Sequence, residues 1–114
     1  MLTRRQLLVA SAGVPLLASR ASAHDDHAEA ETTMVENAKT PAEHAALAAH
    51  YRERASKARA DEAHHRLMAQ AYGGKQGVAA GRAHCRRLSR QFGEMAGELE
   101  ALAKLHDEAA KSAQ

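Results

Sequence analysis

Residues 40–77 read TPAEHAALAAHYRERASKARADEAHHRLMAQAYGGKQG, and the fold is decided there. Thr40 offers the hydroxyl of a helix N-cap, and Pro41 suits the first helical position. Glu43 stands three residues after Thr40, the spacing of a capping box. At about 100° per residue, His44, Leu47, Tyr51, Ala55, Ala58, Glu62, His65, Ala69 and Tyr72 fall on one face. The spacing therefore predicts a helix over 40–72, stopped by Gly73 and Gly74. A glycine-rich turn at 73–77 follows. A second stripe of Cys85, Leu88, Phe92, Ala96, Leu99, Ala103, His106 and Ala110 predicts a helix over 78–110. Each helix is roughly 30 residues, or about 45 Å long. A short turn between two long helices makes an antiparallel hairpin, so the expected fold is all-α, with a helical body spanning 40–112.

The composition agrees and sets limits. The chain has 114 residues, enough for one domain, with 45% apolar residues but only 3% aromatic. Twenty-eight are alanine; there is one Phe, no Trp and no Ile. Such a chain makes long helices and a thin core. A large enzyme with a deep pocket, a disulfide-stapled mini-protein and a β-rich sandwich are excluded. There is no phosphate loop, no useful Ser/His/Asp order and no coupled acid pair, so no enzymatic activity is expected.

The two helices resemble each other at an offset of 41. Leu47, Glu53, Ala55, Ala60, His65 and Ala69 match Leu88, Glu94, Ala96, Ala101, His106 and Ala110, and Tyr51 matches Phe92. Helical composition alone also produces such matches. After residue 23 only 14 side chains are Val, Leu, Met, Phe or Tyr, so a lone hairpin buries little. Gly93 and Gly97, with Ala96 and Ala101, let another helix approach closely. The expected assembly is a homodimer forming a four-helix bundle. Arg82, Arg86, Arg87 and Arg90 crowd the start of the second helix, and Glu94, Glu98, Glu100, Asp107 and Glu108 its later part. Antiparallel pairing with a twin helix would set basic against acidic; solvated faces with a few i,i+4 pairs are the other reading.

The first 23 residues read as an address. Arg4 and Arg5 precede a mostly apolar run from Leu7 to Ala18, and Ala21-Ser22-Ala23 is an A-x-A cleavage site, the order of a cleavable signal peptide. Twelve residues rise about 18 Å as a helix against roughly 30 Å of hydrocarbon, so no stable membrane span is expected after cleavage. Thr3-Arg4-Arg5-Gln6-Leu7-Leu8 resembles the twin-arginine export signal, with Leu7 and Val9 departing from its usual Phe and Lys. That resemblance implies export in a folded state to the bacterial periplasm or beyond; an ordinary secretory signal is the alternative. Cleavage removes three arginines and no acids, leaving 13 basic and 14 acidic residues. The formal +2 of the whole chain becomes −1, which removes the electrostatic case for nucleic acid or an anionic membrane. Residues 24–39, polar, acidic and aperiodic, read as a flexible arm.

The eight histidines carry the candidate chemistry, and all follow residue 23. With the turn centred near Lys75, His44 lies beside His106, and His65 beside Cys85. Two clusters follow, about 31 Å apart: His65, Cys85 and His84 with His64 and Glu62 nearby, and His44 with His106. Imidazole and thiolate are ligands for copper or zinc. A single cysteine in an oxidising compartment must be buried, bound to metal, or bridged to another chain. The structural alternatives are surface histidines bonded to carboxylates and Cys85 as a small buried hydrophobe. Glu62-Ala63-His64-His65 contains the E-x-x-H unit of di-iron bundles, but no facing Glu completes it. Haem is a weaker expectation, since C-x-x-C-H is absent and few large apolar groups would wall it. His24 and His27 would bind copper(II) only if cleavage exposes them near the new N-terminus.

The His44, Leu47, Tyr51 pattern (H-x-x-L-x-x-x-Y) and the His84, Cys85, Leu88 pattern (H-C-x-x-L) resemble small alanine-rich helical proteins exported by bacteria. The resemblance covers about 70 residues and implies no particular activity. Two functions are expected in competition: a metal-binding bundle that sequesters or transfers copper or zinc, and a structural, interaction or chaperone-like periplasmic module. Haem-bound electron transfer is the third.

Overall fold

The computed structural model describes the backbone of residues 19–113 and the side chains of residues 28–113. All but the end of the expected signal lies outside the described residues, as do the side chains of His24 and His27. Three helices follow in order: α1, Ser19–Asn37; α2, Pro41–Tyr72; and α3, Ala80–Ser112. No strand occurs among the described residues. The chain divides into a unit up to Thr32 and a unit from Thr33 onward, which holds the end of α1 and the α2–α3 pair.

α2 starts at the sequence signal that predicts it. The Thr40 hydroxyl accepts from the Glu43 N–H at 3.2 Å, and the Thr40 N–H donates to Glu43 Oε1 at 3.0 Å. Lys39 N–H reaches the same carboxylate oxygen at 3.3 Å. These bonds, Thr40 backbone first, hold the Glu43 carboxyl below its usual pKa.

The turn differs from the expected one. Gly73 keeps right-handed helical angles (φ −59°, ψ −18°), and its N–H donates to the Gln70 carbonyl. The left-handed residue is Gly77, at φ 82°. The chain thus tightens after Tyr72, reverses around Gly77, and enters α3 through the turn bonds of Gly81 N–H to Val78 O and Arg82 N–H to Ala79 O. α3 begins two residues later than the glycines suggest, which moves the centre of the hairpin beyond Lys75. Gly81 is required by packing: a Cβ there would stand 2.8 Å from the Tyr72 ring.

α2 and α3 pack against each other, and their contacts run antiparallel. Tyr72 meets Gly81 near the turn, and His44 meets His106 at the far end. The core cluster is Leu47, Tyr51, Ala55 and Ala58 of α2 with Ala96, Leu99 and Ala103 of α3. Four of these seven are alanine, so the helices lie close and bury little each. Arg52 bridges to Asp107 across the pair, and Arg59 Nε to Glu100 at 3.0 Å.

Residues 24–39, expected as a flexible arm, are helical as far as Asn37, and Met34 and Ala38 pack on the core cluster. Alanine and glutamate make helix without apolar periodicity. Met34 in the last turn of α1 and Ala38 just beyond it supply the apolar contact. The small residues proposed for a dimer seam divide. Ala96 is buried in its own core, and a Cβ on Gly93 would meet the Glu62 carboxylate at 3.0 Å, so both face α2. Gly97 has open space where its Cβ would be.

Candidate functional site

The outer pair comes together as its register requires. His44 Nδ1 and His106 Nδ1 lie 3.0 Å apart, and with centroids 5.3 Å apart and planes at 25° the rings meet edge to edge through these nitrogens. One nitrogen must donate and the other accept, so the pair shares a proton between two lone pairs. Tyr51 packs against His106 as well, with centroids 5.8 Å apart and planes within 21°. Burial, and then the neighbouring His44, lower the His106 pKa.

The inner cluster does not gather. His65 lies flat on Phe92, centroids 5.3 Å apart and planes within 2°. Phe92 is two turns beyond Cys85 on α3. His64 makes an edge contact with His65 but is exposed, and His84 is exposed too. Cys85 is buried and free. Glu62 is committed to arginines, at 2.9 Å from Arg59 and 3.2 Å from Arg66, while its backbone carbonyl accepts from Ser89 Oγ. Among the described residues no three His, Cys, Asp or Glu side chains form a metal-holding group. Glu62 is taken up by arginines, and His64 and His84 stand in solvent, so no third ligand joins His65.

The internal offset of 41 has a structural counterpart. An antiparallel pair of similar helices has an approximate two-fold axis, so a contact made once recurs with partners exchanged. Tyr51 on His106 recurs as Phe92 on His65. The same offset carries His44 to Cys85. His106 Nδ1 is satisfied by His44, whereas the equivalent nitrogen, His65 Nδ1, is buried with no hydrogen-bond partner. An orphaned buried nitrogen is costly and demands explanation.

Two features escape the sequence reading. One is the ion-pair line of Arg59 with Glu100 and Glu62, legible only as opposite charges once the register is known. Glu100 first, then Glu62, raises the Arg59 pKa, and Arg59 lowers that of Glu100. The other is a cleft at the turn end, about 630 Å³ in volume, with arginines from both helices in its wall. The arginine crowding that marks it reads in sequence only as an unfavourable helix start. No helix among the described residues is long and apolar enough to cross a membrane. No protein-family model, curated protein or solved structure matches the chain.

Proposed function

We propose that this chain is an exported, non-enzymatic helical protein that binds copper or zinc for sequestration or transfer. The His44–His106 pair carries the reading. A metal–nitrogen bond is about 2.1 Å, so two imidazoles bound cis or tetrahedrally have nitrogens about 3.0 to 3.4 Å apart. The observed 3.0 Å lies in that range. A metal would replace the shared proton once each ring turns by about 35–45°, so that its lone pair aims at the ion rather than at the other nitrogen.

Two ligands from one chain leave a coordination sphere unfinished, and a homodimer supplies the rest. Leu88, Met95 and Leu102 are more than a third exposed and recur every seven residues along α3. That period is the seam of two packed helices. Antiparallel pairing about Met95 sets Leu88 of one copy against Leu102 of the other. The same stripe favours the competing reading, a structural or chaperone-like module that docks another protein.

The test is a titration of the purified chain with zinc or copper(II), alongside His44→Ala, His106→Ala, His65→Ala and Cys85→Ala. Stoichiometric binding is expected, at least tenfold weaker in the first two variants. Affinity falls with falling pH, because neutral imidazole is the ligand. A chain that stays metal-free and equally stable with either metal added overturns the proposal. A visible absorption spectrum tests for haem, and sedimentation of Met95→Lys tests the seam. N-terminal sequencing of the exported protein locates the cleavage.

A further inference from the structure

We propose that the turn end of the hairpin is a binding cleft for a phosphate-bearing anion. Arg66 of α2 and Arg82, Arg86 and Arg90 of α3 line the 630 Å³ cleft, with Gln70 and Ser89. A shallower recess of about 400 Å³ shares the three α3 arginines and adds Arg87.

The arginines are arranged against intramolecular electrostatics. Arg82, Arg86 and Arg90 are spaced four residues apart, so their guanidinium groups follow one flank of α3 and repel one another. Elsewhere in the hairpin arginines are matched across the helix pair: Arg52 to Asp107, and Arg59 to Glu100. Among the described residues no carboxylate pairs with Arg82, Arg86, Arg87 or Arg90. Arg66 does have a partner, Glu62, which Arg59 also holds. That carboxylate, on the α2 side, is therefore already neutralised by two cations. Ser89 spends its hydroxyl proton on the Glu62 carbonyl, leaving its oxygen no donor for a ligand. The donors facing the cleft are thus guanidinium forks and the Gln70 amide.

That donor set selects the ligand. Planar guanidinium groups bind phosphate oxygens two at a time, which an ammonium cannot do. Four of them from two helices suit a ligand with several phosphate oxygens. The cleft volume exceeds one inorganic phosphate, so a diphosphate or phosphate ester fits the chemistry better. A phospholipid headgroup presents the same oxyanion from a surface. This cleft lies at the opposite end of α2 and α3 from the histidine pair, and its test is independent of metal.

Calorimetric titration of the purified chain with pyrophosphate tests the free ligand. Co-sedimentation with phosphatidylglycerol vesicles, against phosphatidylcholine vesicles, tests the headgroup. Binding to at least one probe is expected, and the arm that responds names the source. The Arg86→Gln/Arg90→Gln double variant should bind at least tenfold more weakly, with helix content retained because both side chains are exposed. Arg86→Lys keeps the charge and loses the fork, so it should fall between the double variant and the native chain. Arg52→Gln, at the far end, should bind as the native chain does. Binding should weaken as salt rises. No saturable binding to either probe overturns the proposal, and so does binding that the double variant leaves unchanged.

Discussion

Replacing Leu47 with alanine tests the packing on which the site depends. Leu47 is fully buried, and the cluster around it has only Tyr51 and Leu99 as other large members. Leu→Ala at a buried site costs about 2–5 kcal/mol, the loss rising with the cavity left. The neighbouring alanines cannot extend into the gap, but Met34 at the edge of the cluster can bend toward it. A cost of about 3 kcal/mol follows. A unit of roughly 80 residues has about 4–12 kcal/mol in total, and a core this rich in alanine belongs near the lower end. The variant should therefore lose most of its stability. With a urea slope of about 1 kcal/mol per molar, the midpoint should fall by about 3 M at matched protein concentration. Leu67, 65% exposed on the same helix, is the control: Leu67→Ala should move stability by no more than about 0.5 kcal/mol. Equal shifts in the two variants would refute the assignment of the core to this face of α2.

Three further outcomes are expected. The His106 pKa is lowered on folding from its ordinary 6.5, so the unfolded chain takes up its proton first as pH falls. Stability from this group is complete above about pH 6.5 and is lost progressively below it. Urea midpoints at descending pH should show that loss, and His106→Phe should shrink it. Gly81→Ala forces Cβ into the Tyr72 ring and should cost about 1–3 kcal/mol. Gly97→Ala meets open space within a helix and should gain up to about 1 kcal/mol in thermal unfolding, provided no second chain covers it.

What sequence reading reaches here is set by range. The start of α2 depends on four adjacent residues, Thr40 to Glu43, and its capping bonds are found in place. The face buried by α2 depends on a 3.6-residue period, and Leu47, Tyr51, Ala55, Ala58 and Ala69 are all buried. The turn is harder, because Gly73, Gly74 and Gly77 each permit the left-handed conformation and only one adopts it. That local ambiguity propagates: moving the start of α3 alters the residues facing each other along the hairpin. His44 and His106 still meet, since long imidazoles tolerate a partial slip. The inner group needs several short side chains at one level and does not assemble. The turn-end cleft is legible only in part: Arg82, Arg86 and Arg90 follow one flank of α3, but Arg66 and Gln70 join them only once α2 packs alongside.

The two stacked histidines also explain why so thin a core holds. His106 on Tyr51 and His65 on Phe92 are flat rings filling places where a richer sequence would put Leu or Phe. His106 packs as an apolar group while neutral, and burial makes its proton costly. The site and the core are thus partly the same atoms. An ion replacing the proton between His44 and His106 would tie α2 to α3 more firmly at the end opposite the turn, where a hydrogen bond between those rings and the Arg52–Asp107 ion pair now join them. Metal binding at that pair should therefore raise the stability of the whole hairpin, by about 2.7 kcal/mol at a hundred times the dissociation constant. A metal bound elsewhere, at the exposed His64 or His84, need not depend on the pair. Stabilisation by zinc that survives His44→Ala would assign the ion to one of those places, and the histidine pair would then be packing alone.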